Sequence, residues 1–130
     1  MTSIVSLMHA SPVTVDMDAT LAEVDKVLRT HGLSAVPVTD RRNGVLLGVV
    51  SARDLAHAVH TNHGRRDPAV VHAWEMCTYK PVQVSVAATV GEVARLMLGH
   101  GIHHVVVTDD KGIAGIVSAL DFVRQFSGEA

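Results

Sequence analysis

Two short runs, Ser51-Ala-Arg-Asp54 and Ser118-Ala-Leu-Asp121, place a hydroxyl and a carboxylate three residues apart. A carboxylate only accepts hydrogen bonds, and those it takes are charge-assisted and strong. At the start of a helix such a pair has two compatible uses. It satisfies backbone N–H groups that have no partner inside the helix, the ordinary capping role. It also stands beside a helix N-terminus, whose N–H groups attract anions.

The nine histidines are the other groups able to titrate near neutral pH, which leaves pH sensing open. His57, His60 and His63 run at spacing three, with His72 beyond. Zinc needs ligands that converge, whereas this spacing drifts around a helix and Gly64 ends it near the third histidine. No metal site is expected. Cys77 is the only cysteine. It cannot form an internal disulfide, fits a reducing compartment and lies in no nucleophile motif, so it reads as a small half-buried residue. There is no paired acid and base at catalytic spacing, no Gly-x-Ser-x-Gly and no P-loop. An enzyme is not expected.

The elements that position these residues come in duplicate. Pro12-Val-Thr-Val15 returns as Pro81-Val-Gln-Val84, and Ala19-Thr-Leu-Ala-Glu-Val24 as Ala88-Thr-Val-Gly-Glu-Val93. His31-Gly-Leu33 returns as His100-Gly-Ile102, Val36-Pro-Val-Thr-Asp40 as Val105-Val-Val-Thr-Asp109, and Gly48-Val-Val-Ser-Ala-Arg-Asp54 as Gly115-Ile-Val-Ser-Ala-Leu-Asp121. The offset is 69 up to the aspartates and 67 after them, so a polar turn absorbs the difference. Each repeat has an apolar opening ending in Met8 or Met76, then a strand at Val13–Val15 or Val82–Val84. A helix follows, started by Thr20-x-x-Glu23 or Thr89-x-x-Glu92 and ended at Gly32 or Gly101. Strands at 35–39 and 46–51, or 104–108 and 113–118, lead into a last helix, and Asn43-Gly44 is a hairpin signal.

The predicted fold class is therefore α/β (α+β): two tandem β-α-β-β-α repeats packed with pseudo-twofold symmetry. The expected boundaries are 1–60 for repeat one, 61–73 for a polar linker and 74–130 for repeat two. One such unit alone is too small to bury a good core.

Composition agrees. Hydrophobic residues make up 48% and aromatics 3%, so valine carries most of the packing. Trp74, Tyr79, Phe122 and Phe126 all lie in the second half, which reads as a mark of divergence in repeat two. Few rings and a net charge of −2 argue against nucleic acid as a partner. No run of about 18 apolar residues exists to span a membrane, and the N-terminus lacks the pattern of a signal peptide. A cytoplasmic setting is expected.

The paired motifs resemble the CBS domain family, named after cystathionine β-synthase, and the resemblance covers almost the whole chain as a stand-alone Bateman module. It implies a regulatory module that binds an adenosine-containing ligand in clefts between the repeats and modulates a partner protein. AMP, ADP or ATP leads, with S-adenosylmethionine or NAD(H) as further options and no required cofactor. It implies that Asp54 and Asp121 accept from the ribose hydroxyls, with Ser51 and Ser118 close to ribose or phosphate. Val13, Thr14 and Val15, with Val82, Gln83 and Val84, occupy the position of adenine backbone contacts. Val36 and Val105 match its aliphatic walls, although for any one of these valines an ordinary core role outweighs that reading. His103 matches a phosphate-touching histidine, His104 replaces an arginine beside it, and Arg53 often faces the ligand. Repeat one has Ser34-Ala35 at the histidine pair, and repeat two has Val106 in place of Pro37, so unequal sites are expected. A homodimer is expected through Leu55, Ala58 and Val59 with Phe122, Val123 and Phe126. The alternative is a structural interaction module whose nucleotide pocket is vestigial.

Overall fold

The computed structural model describes residues 2–10, 13–61, 67 and 69–128. Pro12, His63, Gly64 and much of the expected linker lie outside the described residues. The order is a single 3-10 turn at Ile4–Ser6, β1 (His9–Ala10), β2 (Val15–Asp16), α1 (Leu21–His31), β3 (Ala35–Asp40), β4 (Val45–Ser51) and α2 (Ala52–Thr61). Then come α3 (Ala73–Met76), β5 (Thr78–Tyr79), β6 (Gln83–Ser85), α4 (Val90–His100), β7 (His104–Asp109), β8 (Gly112–Ser118) and α5 (Ala119–Phe126). This is the mixed α/β pattern expected, used twice.

The local signals are used where the sequence puts them. Thr20 Oγ1 accepts from the Glu23 N–H at 3.1 Å, and Glu23 returns the bond to the Thr20 N–H at 3.0 Å. Thr89 and Glu92 repeat the box at 3.2 and 3.1 Å. Gly32 and Gly101 end these helices at φ 62° and 61°, the left-handed conformation that costs a glycine nothing. Behind each helix, alternate strand residues form a dry core: Val36, Val38 and Val50 with Val24 and Leu28, and Val105, Val107 and Val117 with Val93 and Met97.

The sheets are ordered β2-β3-β4-β5 and β1-β8-β7-β6. The chain accordingly forms two compact units, Val13–Lys80 and Met1–Pro12 with Pro81–Ala130. Each repeat supplies three strands to its sheet, and the fourth comes from the segment that precedes the other repeat. The apolar openings follow the same exchange. Ile4, Leu7 and Met8 pack into the second repeat's core, while Val71, Ala73 and Met76 pack into the first. Two of the four aromatics change meaning as a result. Trp74 and Tyr79 belong to the unit built on repeat one, where the Tyr79 hydroxyl donates to the Trp74 carbonyl. Their position in the second half of the chain is therefore no mark of divergence in repeat two.

Glycine makes the exchange possible. Gly48 pairs with Tyr79 across β4 and β5, and Gly115 with Ala10 across β8 and β1. A Cβ at Gly48 would sit 2.5 Å from the Thr78 carbonyl oxygen and 2.9 Å from Cys77 Sγ. One at Gly115 would strike the His9 carbonyl oxygen and lie 2.9 Å from Met8 Sδ. Backbone cannot yield there as a flexible side chain would.

The two-residue offset falls in the β-turns. Asp40 pairs with Val45 around the four residues Arg41–Gly44, whereas Asp109 pairs with Gly112 around Asp110 and Lys111 alone. Asn43-Gly44 is thus the second half of a longer turn, closed by the Gly44 N–H on the Asp40 carbonyl at 2.6 Å. The Asp40 carboxylate accepts from Arg42 Nε at 3.1 Å, Nη2 at 3.0 Å and the Arg42 backbone N–H at 2.9 Å. These bonds hold its carboxyl below the usual carboxylate range, the guanidinium contributing most.

Gly48→Ala and Gly115→Ala should each lower unfolding free energy by roughly 1–3 kcal/mol in urea titrations, the usual cost of overpacking. Gly99→Ala, on a helical site with nothing within 4 Å, should raise it by about 0.5–1 kcal/mol. Equal effects at all three would contradict close approach as the reason for the strand glycines. A carboxyl with a depressed folded pKa contributes stability above its unfolded value, near 3.9, and loses it as pH falls through the lower folded value. Asp40→Asn should therefore melt lower than the parent at pH 7, with the gap closing as pH drops below about 3.9.

Candidate functional site

In each unit a central strand runs directly into a helix, β4 into α2 and β8 into α5, and the Ser-x-x-Asp motif spans the junction. In the first, Ser51 ends β4. Its N–H donates to Asp54 Oδ2 at 2.8 Å, and its Oγ accepts from the Asp54 N–H at 3.0 Å. In the second, the Ser118 N–H donates to Asp121 Oδ2 at 2.7 Å and the Ser118 hydroxyl donates to the same oxygen at 3.2 Å. Both serines and Asp121 are buried, and Asp54 is half-buried. The capping use of the motif is thus realised in both units, and in the second it leaves the other carboxylate oxygen, Oδ1, for different partners.

The first helical N–H of each junction reaches the loop before the neighbouring strand. Ala52 N–H donates to the Ser34 carbonyl at 2.9 Å, and Ala119 N–H to the His103 carbonyl at 2.8 Å. The strand register sets Ala35 opposite Ser51 and His104 opposite Ser118. Positions far apart in sequence are thereby gathered: Ser34, Ser51, Arg53 and Asp54 in one unit, and His103, His104, Ser118 and Asp121 in the other. The side chains of Arg53 and His103 are exposed, and His104 is half-buried.

The expected adenine contacts divide. Thr14 and Gln83 are exposed, and Val13, Val82 and Val84 are half-buried against their cores. Val15 is a core residue, and Val36 and Val105 have no exposed surface at all. Val36 and Val105 thus lie wholly inside the two cores, the other place read for these valines from the sequence. The dimer expectation narrows similarly. Leu55 and Ala58 lie in their own unit's core and Phe122 packs against its own, which leaves Val59, Val123 and Phe126 exposed.

Two residues beside the second junction were missed by sequence reasoning. His9 Nε2 lies 3.5 Å, and Arg124 Nη1 3.8 Å, from Asp121 Oδ1. Arg124 stands three residues after Asp121, a helical spacing that marks a contact in sequence. His9 carries no such signal, because only the pairing of β1 with β8 brings it there. At the first junction, burial pushes the Cys77 thiol above its ordinary range, and the Asp54 charge acts in the same direction. That favours the protonated, unreactive form.

Among the described residues no group of three or more histidine, cysteine or acidic side chains is placed to hold a metal ion. His57 and His60 are exposed, and His72 is stacked on Trp74 with its Nδ1 3.4 Å from Glu75 Oε2. No helix among them is long and apolar enough to cross a membrane.

Comparison with known proteins agrees with this architecture. The CBS domain family model matches residues 4–61 and 73–128. The chain is 31% identical over 121 residues to the uncharacterized protein YlbB of Bacillus subtilis, covering 93% of this chain and 80% of that one. It is 28% identical to the CBS domain-containing protein YhcV of the same organism, covering 100% and 90%. In structure it is similar to the CBS domain pair of protein MJ0100 in complex with 5′-methylthioadenosine and S-adenosyl-L-methionine. The TM-score there is 0.84 at 26% identity, over 100% of this chain and 99% of that one. With both repeats matched and the strand–helix junctions duplicated, this chain belongs to the CBS domain family.

Proposed function

We propose that this protein is a regulatory module that binds an adenosine-containing nucleotide, AMP, ADP or ATP, and through it modulates a partner protein. The observation that carries the reading is the duplicated junction itself. A carboxylate anchored by a neighbouring serine stands at a helix N-terminus, able to accept from a sugar diol. The similar CBS pair of MJ0100 holds two adenosine-containing molecules, which supports that ligand class. In this reading Asp54 and Asp121 hold the ribose, with Ser51 and Ser118 beside them. Arg53, His103 and His104 stand on the phosphate side, and adenine lies along Val13, Thr14, Val82, Gln83 and Val84. The module regulates rather than catalyses, a role that needs unequal ligand affinity for two states of the protein. Val59, Val123 and Phe126 provide exposed apolar surface for a second copy of the chain.

A second reading, a structural interaction module that binds no nucleotide, is favoured by one observation. Both aspartates already serve as caps, and Asp121 Oδ1 already faces two basic groups.

Thermal melts separate the two. A nucleotide at about a hundredfold excess over its Kd should stabilise the protein by roughly 2.7 kcal/mol. Asp54→Ala and Asp121→Ala should each lose about 1 kcal/mol without ligand from the broken cap. Asp121→Ala should lose more, since it strands both the N–H and the hydroxyl of buried Ser118, whereas Asp54 accepts only the N–H of Ser51. Measured against its own unliganded melt, each variant should show a reduced nucleotide shift. No shift with any adenosine ligand at millimolar concentration would leave only the structural reading. In light scattering the protein should run as a dimer at micromolar concentration, and a monomer would remove the proposed self-association.

A further inference from the structure

Two aromatic rings stand together on the surface of the unit built on repeat one. Trp74 is 43% exposed and Tyr79 52%. The Tyr79 hydroxyl is taken by the Trp74 carbonyl, so what the phenol offers a neighbour is its ring. His72 lies nearly parallel to the Trp74 indole, at 10° with ring centroids 6.4 Å apart.

The other repeat supplies an internal control. At the offset of 69, Val5 stands where Trp74 does and Ala10 where Tyr79 does. Strand pairing agrees, with Tyr79 opposite Gly48 and Ala10 opposite Gly115. Val5 is 44% exposed, so this is a surface position in both units. The second unit folds on a valine and an alanine there, and packing therefore does not call for large rings. Exposed tryptophan and tyrosine are the side chains that anchor protein interfaces.

Charge names the occupant. The segment around α3 lies along the start of α1. The Trp74 N–H donates to the Met17 carbonyl at 3.1 Å, the Ala73 N–H to Ala19 at 2.8 Å and the Leu21 N–H to Val71 at 2.7 Å. Neither Val13–Asp25 nor Asp67–Tyr79 holds a lysine or arginine, and Lys26 and Lys80 stand just beyond them. Asp18, Glu23 and Glu75 are exposed on these segments. Arg42 is within electrostatic reach of Asp18 but is already paired with Asp40 at 3.0 Å. In the other unit Ala87 and Ser6 stand in place of Asp18 and Glu75. An exposed indole in an acidic setting draws a cation over its face. A guanidinium suits it best, being planar, weakly hydrated and able to fork onto a carboxylate at the same time.

We propose that Trp74 and Tyr79 form a docking face for an arginine-bearing peptide segment of a partner protein. This goes beyond the nucleotide reading and does not depend on it, because no residue of either Ser-x-x-Asp junction takes part.

Trp74 is the only tryptophan, so its fluorescence reports on the face directly. The test selects binders to the full chain from a displayed library of random short peptides and then titrates them against it. The selected peptides should be rich in arginine and shift the Trp74 emission saturably. They should bind at least about tenfold more weakly once their arginines are replaced by glutamine. Trp74→Val and Tyr79→Ala introduce the side chains that the other unit already carries, so both variants should melt close to the parent. Each should weaken calorimetric binding at least about tenfold, the scale of an interface hot spot. Asp18→Ala should weaken it severalfold. If either aromatic variant unfolds, the glutamine peptides and Asp18→Ala carry the test. Failure to select any binder, binders without arginine, or an affinity unmoved by Trp74→Val and Tyr79→Ala overturns the proposal. So does a shift of Trp74 emission on diluting the protein alone, which marks the face as a contact between copies of the chain.

Discussion

The first N–H groups of every helix lack partners within it, and in this protein the way α2 and α5 satisfy theirs governs the rest. Each follows its strand without an intervening loop, so its N-terminus sits at the end of a central strand, beside buried backbone. A serine at the end of the strand and an aspartate one turn later close that junction, and the carbonyl of Ser34 or His103 takes the first helical N–H. The same carboxylate that makes the strand-to-helix transition possible is thereby fixed in place, with its remaining acceptor capacity turned to whatever approaches the helix start. In the proposed reading, capping and ligand contact are one arrangement seen at two stages. A carboxylate anchored by a cap needs no reordering to receive a diol, which lowers the entropy lost on binding.

The sheets enforce a second constraint. Each unit completes its sheet with a two-residue strand from outside its own repeat, and so short an edge has little pairing energy of its own. It is held by the apolar residues around it, Ile4 and Met8 in one unit and Val71, Ala73 and Met76 in the other, and by the bare backbone of Gly115 or Gly48 beneath it. The valine-rich composition fits this plan. Short strands within a thin layer favour compact β-branched side chains, and the few large rings are left to helix ends and edges, where Trp74, Tyr79 and Phe126 are exposed.

Much of this was legible beforehand, and physics explains which part. Thr20 with Glu23, Thr89 with Glu92, Gly32 and Gly101 act through bonds and dihedrals within a few residues, so their spacing alone gave the helix limits. The offset between repeats located the variable turn for the same reason. The partner of a two-residue edge strand leaves no periodic trace, and the exchange of openings between repeats was invisible. With it went the meaning of Gly48 and Gly115, which read as part of a motif and act as clearance for another strand. His9 escaped notice because its contact with Asp121 spans almost the whole chain. Val36 and Val105 match wall positions by resemblance, and only the packed strands show them fully enclosed in the cores.

The two junctions share a backbone and differ in their surroundings: Arg53, His57 and Thr78 near one, Leu120, Arg124 and His9 near the other. A duplicated scaffold with unequal side chains suits a module whose two sites answer to different ligands or at different concentrations. The central claim, that nucleotide is held at these junctions, is tested most directly by following backbone amide resonances during an AMP titration. Saturable shifts centred on Ser118–Asp121, on Ser51–Asp54 or on both are the expected result. Resonances that stay fixed at both junctions up to millimolar AMP would contradict it.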